Sequence, residues 1–187
     1  MTMIEGDKLP TLTSPRVILR WLKQSDVPAL FEIFSDRRVM RYWSSAPWTD
    51  PADGVEMVES VRHCFAEGSL YQWGVARRSD EALIGTCTLA HVDAQNRRAE
   101  IGFALRRDQW GQGYMSEATR TLLRFAFEEL ELHRIEADVD PRNEAPIRLL
   151  ERLGFQREGY LRERWLVGQE THDTIFYGLL RREWPAN

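Results

Sequence analysis

The stretch that most limits what this chain can fold into is Ile101 to Ala118, IGFALRRDQWGQGYMSEA. Apolar Ile101, Phe103 and Leu105 alternate with Gly102 and Ala104, which is the period of a strand. The charged run Arg106–Arg107–Asp108 breaks it, a glycine-containing turn follows, and a helix is expected from Ser116. A strand, a turn and a helix in that order gather unpaired backbone N–H groups at the helix N-terminus, where the partial charge is positive. Gly111 and Gly113 can take positive φ and let a ligand approach the backbone. The guest such a cradle suits is a phosphate or diphosphate. A GxG alone also describes a plain turn. This one has neither the Gly-Lys-Ser/Thr of a P-loop nor the third glycine of the dinucleotide fingerprint.

The 187 residues leave room for one domain with a substantial core. A net charge of -4 and a pI near 5.7 argue against general nucleic-acid binding and are compatible with a cationic substrate. No apolar run approaches membrane-spanning length, and MTMIEGDKLP lacks the basic-then-apolar order of a signal peptide. A cytoplasmic protein with no membrane partner is expected. Cys64 and Cys87 lack metal-ligand spacing and read as small buried hydrophobes, so no metal site is expected.

Taken in order, residues 1–14 read as a loosely held arm and Arg16–Trp21 as a strand. Ser25 offers the cap for a helix over Asp26–Phe34. A second helix runs from Pro51, capped by Asp50 or Thr49, to Glu67, and Gly68 stops it. Strands are expected at Tyr71–Arg77, Leu83–Val92 and Ala99–Leu105, joined by hairpin turns. The Ser116–Leu132 helix presents Ala118, Leu122, Phe125, Ala126 and Leu130 on one face. Arg134–Val139 follows as a strand, parallel to the previous one because a helix crosses between them. Asn143 caps a helix over Glu144–Leu153 that ends at Gly154, and two strands, Phe155–Val167 and His172–Leu180, close the chain. The reading is a single α+β domain.

This order, with WGQGYM at Trp110–Met115 and NEAPIRLLERLGF at Asn143–Phe155, resembles the GNAT superfamily of acyl-CoA N-acyltransferases, in particular its RimJ/RimL-like branch of ribosomal-protein-type N-acetyltransferases. The resemblance spans nearly the whole chain, with Leu19–Arg20 and Phe176–Leu180 also fitting. It implies a mixed, mostly antiparallel sheet flanked by helices, with a parallel pair of central strands that splay apart. Each of the two motifs departs from the pattern. Trp110 and Met115 stand where the loop usually begins with Arg or Gln and ends with Gly or Ala. Pro146 and Leu150 stand where relatives carry a Ser or Tyr assigned to protonate the leaving thiolate, which leaves the general acid unidentified.

The resemblance implies acetyl-CoA as donor and an amine as acceptor, a peptide N-terminus or a small molecule, in a monomer or homodimer. The diphosphate would lie on amides of Trp110, Gly111, Gln112, Gly113, Tyr114, Met115 and Ser116, and the pantetheine arm along the backbone of Phe103, Ala104 and Leu105. Asn143 would bond the pantetheine or the acceptor. Glu100 and Asp138 flank the splay and are the candidates for the base. The alternatives are a salt bridge from Glu100 to Arg97 or Arg98, and for Asp138 a solvated strand end or part of the Asn143 cap. Tyr42, Trp43, Trp48 and Trp165 would wall the acceptor pocket, or the loop aromatics simply cover the core edge. Of the four histidines only His172, beside Asp173, has a site reading. Besides a protein or peptide α-amine acetyltransferase, a small-molecule amine acyltransferase and a non-catalytic acyl-CoA-binding module remain open.

Overall fold

In the computed structural model, which describes residues 4 and 6–185, the alternating segments form one eight-stranded sheet. Its elements in chain order are β1 (Leu12–Thr13), β2 (Val17–Arg20), α1 (Val27–Phe34), α2 (Ala52–Glu67), β3 (Tyr71–Arg77), β4 (Leu83–Asp93), β5 (Arg98–Leu105), α3 (Tyr114–Glu128), β6 (Arg134–Val139), α4 (Glu144–Arg152), β7 (Gln156–Val167) and β8 (Glu170–Leu180). The strands lie in the order β1-β2-β3-β4-β5-β6-β8-β7, and every pair is antiparallel except β5–β6. The expected architecture, including the parallel central pair, is therefore the one formed. Among the described residues no helix is long and apolar enough to cross a membrane.

Each face of the sheet has its own core. One joins strand residues Trp73, Ile101 and Ile135 to Leu122, Leu123 and Ala126 of α3 and Leu149 and Leu150 of α4. The other joins Leu83 and Ala104 to Leu30 and Ile33 of α1 and Val58 and Val61 of α2. The apolar face of α3 is buried as expected. Its helix stops at Glu128, short of Leu132, because Glu131 turns to a φ of +56° and the Leu132 N–H returns to the Ala126 carbonyl at 2.9 Å. Cys87 is fully buried, its thiol pKa pushed up to about 12 by that burial, and Cys64 is half-buried.

Three local expectations are corrected. The N-terminal arm is held from residue 9 onward: Leu9 is buried, the Pro10 carbonyl accepts from Trp73 Nε1 at 2.9 Å, and Leu12–Thr13 pair with β2. Ser25 does not cap α1. It lies in a 3-10 turn whose Asp26 is gripped by Arg20 through two 2.8 Å hydrogen bonds and accepts from the Lys23 N–H. The last strand begins at Glu170, two residues before His172.

Close approach of backbones constrains β4 at Gly85, opposite Leu105. A Cβ there would sit 2.3 Å from the Ala104 carbonyl oxygen, an atom fixed in the sheet. Gly85→Ala is therefore expected to destabilise the fold by about 2–3 kcal/mol in chemical denaturation; an unchanged midpoint would show that β4 and β5 can move apart.

Candidate active site

The centre of the sheet opens because two strands part. β5 and β6 pair at Arg98↔Arg134, Ala99↔Ile135 and Glu100↔Glu136, and no further. β5 then stays on β4 as far as Leu105↔Gly85, while β6 stays on β8 as far as Val139↔Ile175. The Arg106 N–H donates to the Ile84 carbonyl at 2.8 Å, which fixes the alternation of the β4–β5 ladder. By that alternation Ala104 turns its N–H and C=O to β4, and Phe103 and Leu105 turn theirs to the gap. The Leu105 carbonyl is already taken by Trp110 Nε1 at 2.8 Å. The Phe103 amide and carbonyl and the Leu105 N–H are what the gap offers a ligand. Ala104 belongs to the ladder by its backbone and to the second core by its side chain.

At the outer end of the gap lies the glycine loop. Gly111 and Gly113 have φ of +73° and +81°, as the sequence requires of them. Helix α3 starts at Tyr114, two residues before Ser116, with Gly113 as its N-cap. Glycine has no side chain to satisfy the first turn. Among the described residues the N–H groups of Gly111, Gln112, Gly113, Tyr114, Met115 and Ser116 meet no protein acceptor, and the first intrahelical bond is Glu117 N–H to Gly113 at 3.1 Å. The loop's side chains are engaged within the protein. Gln112 Nε2 donates to the Asp108 carbonyl, Met115 is buried with its sulfur 3.5 Å from Cys87 Sγ, and the Tyr114 ring lies under Arg16. What remains presented is a row of backbone donors, which is what an anion needs.

The gap is flanked by two carboxylates in different settings. Glu100 is in no hydrogen bond or ion pair among the described residues. The cross-strand bridge considered for it does not form, because Arg98 binds Glu136 at 2.9 Å and Asp93 at 3.4 Å. Burial raises the pKa of Glu100 above the ordinary value. His91, in the bulge between Ala90 and Asp93, opposes that rise, while Asp138 and Glu136 add to it. Asp138 is nearly buried and fully engaged: Thr174 Oγ1 donates to it, Trp165 Nε1 lies 3.2 and 3.3 Å from its oxygens, and Arg164 Nε is 3.7 Å away. Neither a solvated strand end nor a helix cap describes it. Asp140 shapes the turn into α4 instead, accepting from the Arg142 N–H and guanidinium and, through its carbonyl, from the Asn143 N–H.

Asn143 occupies the N-cap of α4 but makes no side-chain capping bond, and its side-chain amide has no protein partner among the described residues. That corrects the capping role. Leu150 is fully buried in the main core and Pro146 has no proton to give, so neither supplies an acid. His172 is buried with Nδ1 3.7 Å from Asp140; its neighbour Asp173 serves the Tyr160 hydroxyl and the Glu163 N–H instead. The aromatic candidates divide. Trp165 meets Asp138, and Tyr42 lies under the guanidinium groups of Arg41 and Arg142 at 5.1 and 5.5 Å. Trp43 and Trp48 pack on Phe34 at 5.5 and 4.7 Å and cover the edge of the second core, with Trp48 also lining a shallow cleft beside α2. Thr174 and Arg164 escaped the sequence reading, since nothing local marks a residue whose partner, Asp138, lies tens of positions away; Arg142, bonded to Asp140 two residues before it, was missed as well.

Comparison with known proteins bears directly on this geometry. The family model described as "Acetyltransferase (GNAT) domain" matches residues 16–156. The Bacillus licheniformis protein named uncharacterized N-acetyltransferase p20 is 35% identical over 178 residues, covering 95% of this chain and all of that protein. The [ribosomal protein uS5]-alanine N-acetyltransferase of Escherichia coli is 24% identical over 180 residues, with 92% of each chain covered. The crystal structure of spermidine N-acetyltransferase from Vibrio cholerae, in complex with CoA and spermine, superposes with a TM-score of 0.80 at 24% identity, covering 91% of this chain and 98% of that one. With its sheet order, glycine loop and full-length relatives in agreement, the chain belongs to the GNAT acetyltransferase family, as its RimJ/RimL-like motifs implied, and is an N-acetyltransferase.

Proposed function

We propose that this enzyme moves an acetyl group from acetyl-CoA to the α-amino group of a protein or peptide, by direct attack of the amine on the thioester. The observation that carries this reading is the juxtaposition of unpaired β5 backbone in the gap with Glu100, a half-buried carboxylate lacking any partner among the described residues. The row of amides from Gly111 to Ser116 suits the diphosphate, and the Phe103 and Leu105 amides suit the pantetheine arm. The donor supplies a thioester carbonyl. One of those two β5 N–H groups donates to its oxygen as negative charge develops there.

Glu100 takes the proton from the incoming ammonium, directly or through one water, its raised pKa making it a better base than an ordinary carboxylate. Asp138, with its oxygens held by Thr174 and Trp165, fixes the Trp165 wall and does not move a proton. Asn143 uses its free amide on the pantetheine or the acceptor. Neither Pro146 nor Leu150 offers an acid to the leaving sulfur. A thiol of ordinary pKa, about 8.5, departs as thiolate at neutral pH without one. The α-amino acceptor is favoured by the full-length likeness to the E. coli enzyme that acts on uS5 alanine. A small-molecule amine is the second reading, favoured by the spermine-bound V. cholerae structure.

Turnover of acetyl-CoA with a panel of peptide N-termini, polyamines and amino acids tests the choice. Peptide turnover at least about tenfold above any free amine in kcat/KM, a difference of about 1.4 kcal/mol, is expected; the reverse order would transfer the assignment to small amines. Gly113→Val forces a β-branched residue to a φ of +81° and brings its Cβ to 3.2 Å from Arg16 Nη2. Its Kd for CoA, by calorimetric titration, is expected to rise more than about 100-fold while the fold persists, since a single strained loop residue costs only about 1–2 kcal/mol.

Glu100→Gln is expected to lower kcat/KM about 100-fold and to abolish the acidic limb of the pH–rate profile. In the wild type that limb lies above the ordinary carboxylate range, because the folded pKa is raised. The same raised pKa means that Glu100 detracts from stability once pH exceeds its unfolded value. The Gln variant should therefore melt about 2–4 °C higher at neutral pH, with the difference vanishing below the carboxylate range. A variant that loses activity and melting temperature together would contradict this role.

A further inference from the structure

The glycine loop carries no cation of its own from Trp110 to Ser116, because Trp110 stands where the family pattern has Arg or Gln. The structure brings one in from elsewhere. Arg16, just before β2, reaches across to the loop and to the first turn of α3. Its Nε donates to Glu117 Oε2 at 2.7 Å, its Nη1 to the Gln112 carbonyl at 2.9 Å, and its backbone N–H to Glu117 Oε1 at 2.7 Å. Ser14 Oγ adds a third bond to the Glu117 carboxylate at 2.7 Å. Burial alone would raise the pKa of Glu117, but these donors outweigh it and hold the group below its ordinary value, so the anchor is an anion.

The third nitrogen of the guanidinium is unused. Arg16 Nη2 has no acceptor among the described residues, and it lies 3.2 Å from the point where a Cβ on Gly113 would project. It therefore overhangs the residue at the middle of the row of six unpaired amides. Bonds from two different nitrogens, Nε to Glu117 and Nη1 to Gln112, fix the orientation of the planar group, which leaves Nη2 aimed without a further rotamer search.

We infer that Arg16 is a binding residue for the donor's diphosphate, supplying in trans from the N-terminal segment the side-chain cation that the loop lacks. The inference rests on the placement of CoA proposed above. Glu117, Ser14 and Gln112 act as positioning residues for it.

Calorimetric titrations of wild type, Arg16→Gln and Arg16→Lys with CoA, 3′-dephospho-CoA and pantetheine test it, with Gly113→Val as a control on the CoA placement. Arg16→Gln is expected to weaken CoA about tenfold, to weaken dephospho-CoA by the same factor, to leave pantetheine unchanged and to flatten the salt dependence of CoA binding. Arg16→Lys should restore part of the loss. An equal loss on pantetheine would mean that Arg16 only holds the loop in shape, and would overturn the inference. A loss confined to CoA would move the contact to the 3′-phosphate and overturn the assignment to the diphosphate. If Gly113→Val abolishes CoA binding and Arg16→Gln does not alter it, the inference fails while the CoA placement stands. If neither variant alters it, the placement itself fails.

Discussion

The site depends on one backbone fact: β5 and β6 share a ladder for three residues and then part. The last shared rung sets two carboxylates, Glu100 and Glu136, side by side, an arrangement that is unfavourable unless charge is removed. Arg98 and Arg134 neutralise Glu136, whereas the Glu100 carboxylate has no ion pair among the described residues. Past that rung β5 stays on β4 and β6 is drawn to β8, where Asp138 finds Thr174. Each backbone group left unpaired in a sheet interior costs about 1–3 kcal/mol if it is also dry. Trp110 relieves one of them through the Leu105 carbonyl. The others are tolerable because the gap is a place where something else can bond.

The same geometry separates the two candidate bases. Asp138 and Glu100 lie on adjacent strands and influence each other's charge, yet Asp138 has Thr174, Trp165 and Arg164 at its oxygens, while the Glu100 carboxylate has no hydrogen bond or ion pair among the described residues and feels His91 and Arg164 only at longer range. Burial without an ion pair favours the protonated form of Glu100, which is why its pKa is raised. Periodicity places both on the right strands but says nothing of this difference, which comes from Trp165 and Thr174 on the distant hairpin.

How much could be read from the chain follows from the range of the interactions involved. Strands and helices were legible because their signals are local: alternation in Ile101–Leu105, the apolar face of α3, and the glycine stops at Gly68 and Gly154. The positive φ at Gly111 and Gly113 was legible for the same reason. Helix starts were less so. Ser25 has the right chemistry for a cap, but Arg20 organises that turn around Asp26. Gly113 begins α3 with no side chain at all, so Ser116 attracted the boundary. β1 is two residues long, below what any periodicity can reveal, and Leu9 and Pro10 are fixed by Trp73 and the core rather than by their own pattern. For Trp43 and Trp48 the loop position alone leaves both an acceptor wall and a cover for the core edge open, and their packing on Phe34 is set by tertiary contact that no local pattern reveals.

The donor and acceptor sides also differ in how firmly they are set before any ligand arrives. On the donor side Trp110 is tied to Leu105, Gln112 to Asp108, and Glu117 to Ser14 and Arg16, so the loop's side chains are committed and its amides point one way. Binding a diphosphate there requires little further ordering, and orientation fixed in advance is the main source of affinity for a small anionic group. On the acceptor side the contacts are of another kind: Arg41 and Arg142 stacked on Tyr42, and Arg164 on Trp165. Such stacks are weaker than the hydrogen bonds on the donor side, about 0.5–1 kcal/mol each when exposed, and they rearrange without disturbing the sheet. In the proposed arrangement the donor half is set before CoA arrives, while on the acceptor half Asp138 holds Trp165 and the stacks on Tyr42 leave the rest free to adapt to the amine.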